Sequence, residues 1–276
     1  GPSGTGSGTQ TSMLVADAPG SYGSGSGFNL DIVDRIGEAP GTSPINVANS
    51  QSYNMIPDDR HSYVPGYVPA QVNNVASMSF DGVNDYFDCG FMPALDAVQQ
   101  FTINTWVNMP NVSGTKRMIG KRHNSVSNIA FNFVSNILYT TINGSYGYAN
   151  ANFSINTWYN IAMVFDGTLT SNENRLKLYI DGVQQNLTFP GTIPSITYDF
   201  SLNPSTFYLG TDGFTTPNYY DGLMDEVAIF DYALTPRQIK EDIYNASKPI
   251  SGVNKTADLN NNSNLTAPVA WYRMGD

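Results

Sequence analysis

Residues 218–243 read NYYDGLMDEVAIFDYALTPRQIKEDI. Asp221-Gly222 is a turn dipeptide. After it Leu223, Asp225, Val227, Ile229 and Asp231 alternate with Met224, Glu226, Ala228, Phe230 and Tyr232, the period of two that marks a strand. Thr235 then suits a helix N-cap, Pro236 the first helical position, and Gln238 the reciprocal place in a capping box. Ile239 and Ile243, four apart, give that helix one apolar edge. A strand, a turn and a short helix are therefore expected here.

Working upstream, the same grammar recurs. Ser79–Tyr86 reads SFDGVNDY, Phe101–Val107 reads FTINTWV, Asn156–Gly167 reads NTWYNIAMVFDG, and Leu176–Gly182 reads LKLYIDG. Together with the closing strand and helix, these phrases resemble, in order, those of laminin G-like domains of the concanavalin A-like lectin/glucanase superfamily. They span residues 76–248, about two thirds of the chain. The resemblance implies an all-β, two-sheet antiparallel jelly-roll sandwich with an irregular N-terminal arm and one short helix on the C-terminal side. Function does not follow from it, because this sandwich hosts lectins, adhesion modules, enzymes and spacers.

Residue patterns place the core of such a sandwich. In FTINTWVNM, Phe101, Ile103, Val107 and Met109 share an apolar face, with Trp106 on the other. Residues 128–134 and 137–142 read as a hairpin turning at Ser135-Asn136. Residues 158–166 are apolar on both faces and suit a central strand. Leu176, Leu178 and Ile180 should face in, Lys177 and Tyr179 out, before a two-residue turn at Asp181-Gly182. Residues 206–210 give one more strand.

Four parts are expected. Residues 1–27 form a flexible Gly/Ser-rich arm. Residues 28–75 form extended loops with a weak 25-residue repeat, in which Asp34-Arg35 matches Asp59-Arg60 and Pro40-Gly41 matches Pro65-Gly66. Residues 76–248 are the sandwich. Residues 249–276 are a linker plus a terminal strand, VAWYRMGD, which either completes this sandwich or opens a following domain. The 53–82 region and this last phrase also resemble laminin G-like domains of marine bacteriophage structural proteins. The chain opens Gly1-Pro2-Ser3-Gly4, with no initiator methionine, as a processed product or fragment would.

Composition narrows the partners. The net charge is −10 and the pI about 4.4, which argues against nucleic acid. Arg117, Lys121, Arg122 and His123 form the one local basic cluster, read as a solvated hairpin. Charged residues are only 13%, so the surface is polar without being charged, as on virion or extracellular proteins. No apolar run approaches the ~20 residues of a membrane span, so no membrane insertion is expected. Cys89, the sole cysteine, rules out an intrachain disulfide and reads as a small buried hydrophobe.

Two kinds of site are expected. The laminin G resemblance implies a calcium ion where acidic turns converge, carried first by Asp81 and Asp225, then Asn84 and Asp85, with Asp212 weaker; the alternative is that these aspartates cap turns. Exposed aromatics suited to glycans are Tyr146, Tyr148, Tyr219 and Tyr220; the alternative is that they cover core edges or subunit contacts. Catalysis is not expected. The glucanases of this superfamily set carboxylates on one strand face, whereas Asp225 and Glu226 are adjacent and point to opposite faces. The favoured reading is a virion structural or adhesion protein on the virion surface, partnered by other virion proteins and by host-surface glycan, and forming a homo-oligomer. The alternative is a calcium-dependent carbohydrate-binding module of a secreted or bacterial cell-surface protein.

Overall fold

The structure is a computed structural model that describes residues 70–123, 126–201, 204–213, 218–247 and 255–274. All of them fall in the compact unit Val68–Asp276. The arm at 1–27 and nearly all of the repeat-bearing loops at 28–75 lie outside the described residues.

Two antiparallel sheets face each other, the sandwich that the alternation and the five phrases imply. One sheet has the order β11 (Val183–Gln184), β10 (Leu176–Ile180), β9 (Trp158–Asp166), β4 (Gln100–Asn108), β13 (Asp221–Phe230) and β15 (Ala270–Tyr272), with β2 (Met78–Asp81) also on β13. The other runs β3 (Phe87–Phe91), β12 (Thr206–Leu209), β5 (Thr115–His123), β6 (Val126–Val134), β7 (Ile137–Ile142) and β8 (Ser145–Asn150). A separate ribbon pairs β1 (Gln71–Asn73) with β14 (Lys255–Ala257). Tight hairpins join neighbours where two successive residues take positive φ: Ser135-Asn136, Asn143-Gly144 and Asp181-Gly182. That backbone matches the twist of the strands it connects.

Between the sheets lies the main core, which includes Phe101, Ile103, Val107, Phe131, Phe133, Ile161, Met163, Phe165, Leu178 and Phe207. A second cluster covers the outside of the seven-stranded sheet. After the short helix α1 (Asn172–Arg175) comes the closing helix α2 (Gln238–Tyr244), and Ala162, Val164, Tyr179, Ala228 and Phe230 pack beneath its Ile239 and Ile243 and beneath Leu234 just before it. This second layer corrects one expectation. Tyr179 does point away from the main core, but it is buried under α2 rather than solvated, and burial pushes its phenol up to about 12.

The capping box at the start of α2 is formed. The Thr235 N–H donates to Gln238 Oε1 at 2.9 Å, and the Gln238 N–H to Thr235 Oγ1 at 3.2 Å. Beyond it the helix widens to π pitch, its closing Asn245 N–H reaching Lys240 O five residues back.

Strand β13 departs from simple alternation. Asp225 pairs with Trp106 and Ala228 with Asn104, so three steps on β13 oppose two on β4. This is a β-bulge, with Glu226 at φ +52°. It resets the faces: Met224, Val227 and Ile229 turn into the main core, while Ala228 and Phe230 turn out beneath α2.

The terminal phrase forms β15, antiparallel to Val227–Ile229 of β13. Strand β2 lies along the same side of β13, on Asp221–Met224.

Candidate functional site: a tyrosine face beside a buried ion triad

The outer face of the six-stranded sheet gathers aromatic and polar side chains. Across the β7–β8 hairpin, Tyr139 lies opposite Tyr148 and Thr141 opposite Tyr146. Directly opposed residues share a face. The ring centroids stand 5.3 Å (Tyr139–Tyr148), 5.6 Å (Tyr139–Tyr146) and 6.3 Å (Tyr146–Tyr148) apart. Tyr146 is 36% exposed. In the next row Asn132 stands between Tyr139 and Arg117. Its Oδ1 is buried and has no hydrogen-bond partner among the described residues.

Arg117 leads to the charged part of the face. Its Nη1 lies 2.7 Å from Asp212 Oδ2, and Arg122 Nη1 lies 3.0 Å from the same oxygen. Asp212 is fully buried. Gly120 makes this possible: a Cβ there would meet the Asp212 Cα at 2.3 Å, so only glycine lets the 210–213 loop lie on the sheet. Two guanidinium groups thus meet at one carboxylate oxygen. The basic cluster is therefore not a solvated hairpin. Lys121 is buried too, 3.2 Å from Asp96 and with its ammonium over the rings of Phe91 and Phe200.

A second tyrosine group flanks the triad. Tyr86 meets Tyr208 edge-on at 5.8 Å and stacks on Tyr219 at 6.4 Å. Tyr208 faces Gly120 across the sheet, so it shares the outer face. Three of the four expected tyrosines, Tyr146, Tyr148 and Tyr219, thus bear on this face. Tyr220 does not. It is fully buried, packs edge-on against Phe80 at 5.7 Å, and donates its hydroxyl to Leu223 O at 3.0 Å. Desolvation raises its phenol far above the usual range, and no ligand in solvent reaches it.

The expected calcium ligands do not converge. Asp81 Oδ1 accepts the N–H groups of Val83 (2.8 Å) and Asn84 (3.3 Å), and Asp85 Oδ2 accepts that of Asp81 (3.0 Å). These bonds, led by that from Val83, lower the Asp81 pKa. Asp81, Asn84 and Asp85 thus share one turn, while Asp225 sits four residues beyond Asp221, the β13 residue opposite Asp81. At the rise of a strand that is ~13 Å along the sheet. Among the described residues no three His, Cys, Asp or Glu side chains gather as metal ligands. The four residues therefore do not fit a single calcium shell.

Asp225 and Glu226 belong to the bulge instead. Asp225 Oδ1 accepts the Glu226 N–H at 2.8 Å, and Glu226 Oε1 lies 3.3 Å from Arg273 Nε. Burial first, then the neighbouring Asp225 charge, raises the Glu226 carboxyl to about 7, against the opposing pull of Arg273 and Thr256.

Tyr139, Asn132 and the Arg117–Asp212 pairing are not among the residues singled out from the sequence. One signal was present: Asn143-Gly144 is a two-residue turn, and hairpin register then puts Tyr139 opposite Tyr148.

Comparison with known proteins bears on the fold. The family model described as the concanavalin A-like lectin/glucanases superfamily (Laminin_G_3) matches residues 81–240. No curated protein matches. Among solved structures, a putative carbohydrate binding protein from Bacteroides ovatus is 15% identical with a TM-score of 0.53, over 74% of this chain and 53% of that one. The chain thus spans about half of that relative's length. The heptameric SAP-like pentraxin of Limulus polyphemus is 19% identical with a TM-score of 0.44, over 60% of this chain and 80% of that one. The CBM40 of a Ruminococcus gnavus IT-sialidase, solved with α2,3-sialyllactose, is 11% identical with a TM-score of 0.49, over 62% of this chain and 97% of that one. With a family model matching more than half its length, the chain belongs to the concanavalin A-like lectin/glucanases superfamily.

Proposed function

We propose that this domain is a non-enzymatic glycan-binding module whose contact surface is the tyrosine face of the six-stranded sheet. One observation carries the reading: Tyr139, Tyr146 and Tyr148 form a contiguous aromatic platform beside the Arg117–Asp212–Arg122 triad and the buried Asn132 Oδ1, which has no hydrogen-bond partner among the described residues. A pyranose ring lays its C–H face on such rings while its hydroxyls seek fixed polar groups. The Arg117 guanidinium, partly exposed beside the platform, suits an acidic sugar, one bearing a carboxylate or a sulfate. That a Bacteroides relative is named a putative carbohydrate binding protein is in keeping with this reading.

A glycan array probed with the full chain tests it. Binding is expected to concentrate on sialylated or sulfated glycans and to fall at least tenfold in Tyr146→Ala and Tyr148→Ala. Binding confined to neutral glycans, or unchanged in both variants, overturns the proposal. Repeating the array with a chelator tests the calcium expectation. Because Asp81 and Asp225 stand apart, binding is expected to survive.

The setting we propose for the module is a virion appendage, as a homo-oligomer among other virion proteins. The phage-like phrases and the low density of charge support it. Immunogold labelling of purified particles tests this, and a label found only on bacterial surfaces or in culture supernatant rejects it in favour of a secreted or cell-surface module.

A further inference from the structure

The opposite side of the sandwich carries a groove that the tyrosine face does not use. Its volume is ≈ 390 Å³, and it is lined by Asn74–Ser77, Trp106, Trp158, Asp225, Ser247, Lys255 and Thr256. Strand register explains the floor. Trp158 lies opposite Asn108, two residues from Trp106, and Trp106 lies opposite Asp225 on its other side. The two indoles and the carboxylate therefore share one face across three adjacent strands, β9, β4 and β13. The bulge keeps Asp225 there, since it falls just after this residue. Trp106 stacks on Tyr244 at 5.8 Å and 23°, which fixes its ring, while Trp158 is 37% exposed. The sequence reading put Trp158 in a strand apolar on both faces; here it stands at the start of that strand, open to solvent.

Such placement is costly to explain as packing alone. A large aromatic left open at the mouth of a polar-rimmed hollow is a recognition feature more than a core feature. The lining chemistry selects among ligands. Asp225 opposes an anion and Lys255 opposes a cation, so a neutral molecule is favoured. Indole rings suit the C–H face of a sugar, and Asn74 and Ser77, both only partly buried, offer groups for its hydroxyls. The volume sits at the small end for ligand pockets, enough for one or two rings and too small for a long chain.

We infer that the groove formed by Trp106, Trp158 and Asp225 is a second saccharide site, specific for a neutral mono- or disaccharide unit. It is independent of the tyrosine face and differs from it in charge preference.

Tryptophan fluorescence separates the two sites. The chain has three tryptophans, of which two line the groove and none lies among the tyrosines. The full chain is titrated with millimolar maltose, cellobiose, lactose, N,N′-diacetylchitobiose and mannobiose, and with sialyllactose. At least one neutral disaccharide is expected to shift the emission saturably. Trp158→Ala and Asp225→Asn are expected to weaken that response tenfold or more, while Tyr146→Ala leaves it unchanged. Near-wild-type melting temperatures for Asp225→Asn and Trp158→Ala show that the fold is retained; should Trp158→Ala melt early, Asp225→Asn alone decides. No response to any neutral sugar, a response to sialyllactose alone, or a response that survives Asp225→Asn overturns the inference. Failure here leaves the array result on the tyrosine face standing, and the reverse also holds.

Discussion

Burial at a bulge lets Glu226 keep its proton up to about pH 7, well above the ordinary glutamate value of 4.5. A carboxyl whose pKa rises on folding binds its proton more tightly in the native state. Its stabilising contribution is therefore full below the ordinary value and is lost as pH climbs through the folded one. Between pH 4.5 and 7 that loss amounts to about 3 kcal/mol. In Glu226→Gln, melting temperatures measured at pH 5 and pH 8 should differ less than in the native chain. An undiminished difference would mean that the carboxyl is not the titrating group. None of this is visible from the residue's neighbours in sequence. Glu226 reads as one polar position in an alternating strand, and only the extra residue opposite Trp106 and Asn104 sets it beside Arg273 and Thr256 rather than on the face of Met224. Tyr220 is a similar case. Beside Tyr219 it has the same loop-like surroundings, and its burial is decided by Phe80, far away in the chain.

Elements were legible where a local rule governs them. The hairpin turns follow from dipeptides that accept positive φ, and the start of α2 from Thr235 and Gln238. Since the reciprocal bonds of that box are made, Thr235→Ala should cost about 1 kcal/mol, read as a lower midpoint in urea with unchanged slope. A shift below about 0.3 kcal/mol would assign the helix start to packing of Ile239 and Ile243 instead. Bulges leave no such mark. The one in β13 decides which of the two layers Val227 and Phe230 each enter. Simple alternation puts Val227 with Asp225 and Phe230 with Met224, and so misassigns two layers at once. The spacing of the acidic residues shows the same limit: Asp81 and Asp225 sit near one another in the grammar of the fold, yet Asp225 lies four residues along β13 from the partner of Asp81.

For the molecule as a whole, the sandwich could be read from five phrases in order, because each phrase carries a strand that buries one face. The binding surfaces could be read only in part. Tyr146 and Tyr148 announce themselves as aromatics near a turn, whereas the triad needs Gly120 to admit a loop that lies 90 residues further on. The arrangement of β2 and β15 has a consequence of its own. They lie head to tail along one side of β13, and an Arg273 guanidinium donates to the Asn73 carbonyl. The two behave as one strand with a nick, its halves drawn from distant parts of the chain. A circular permutant in which a short glycine linker joins Met274 directly to Ser77, leaving out the residues before Ser77, and which is reopened at Asn143-Gly144, should still fold to the same two sheets, read as a near-ultraviolet dichroism spectrum of native type. In topological terms, β13 asks only that its edge be covered, not that one continuous segment cover it.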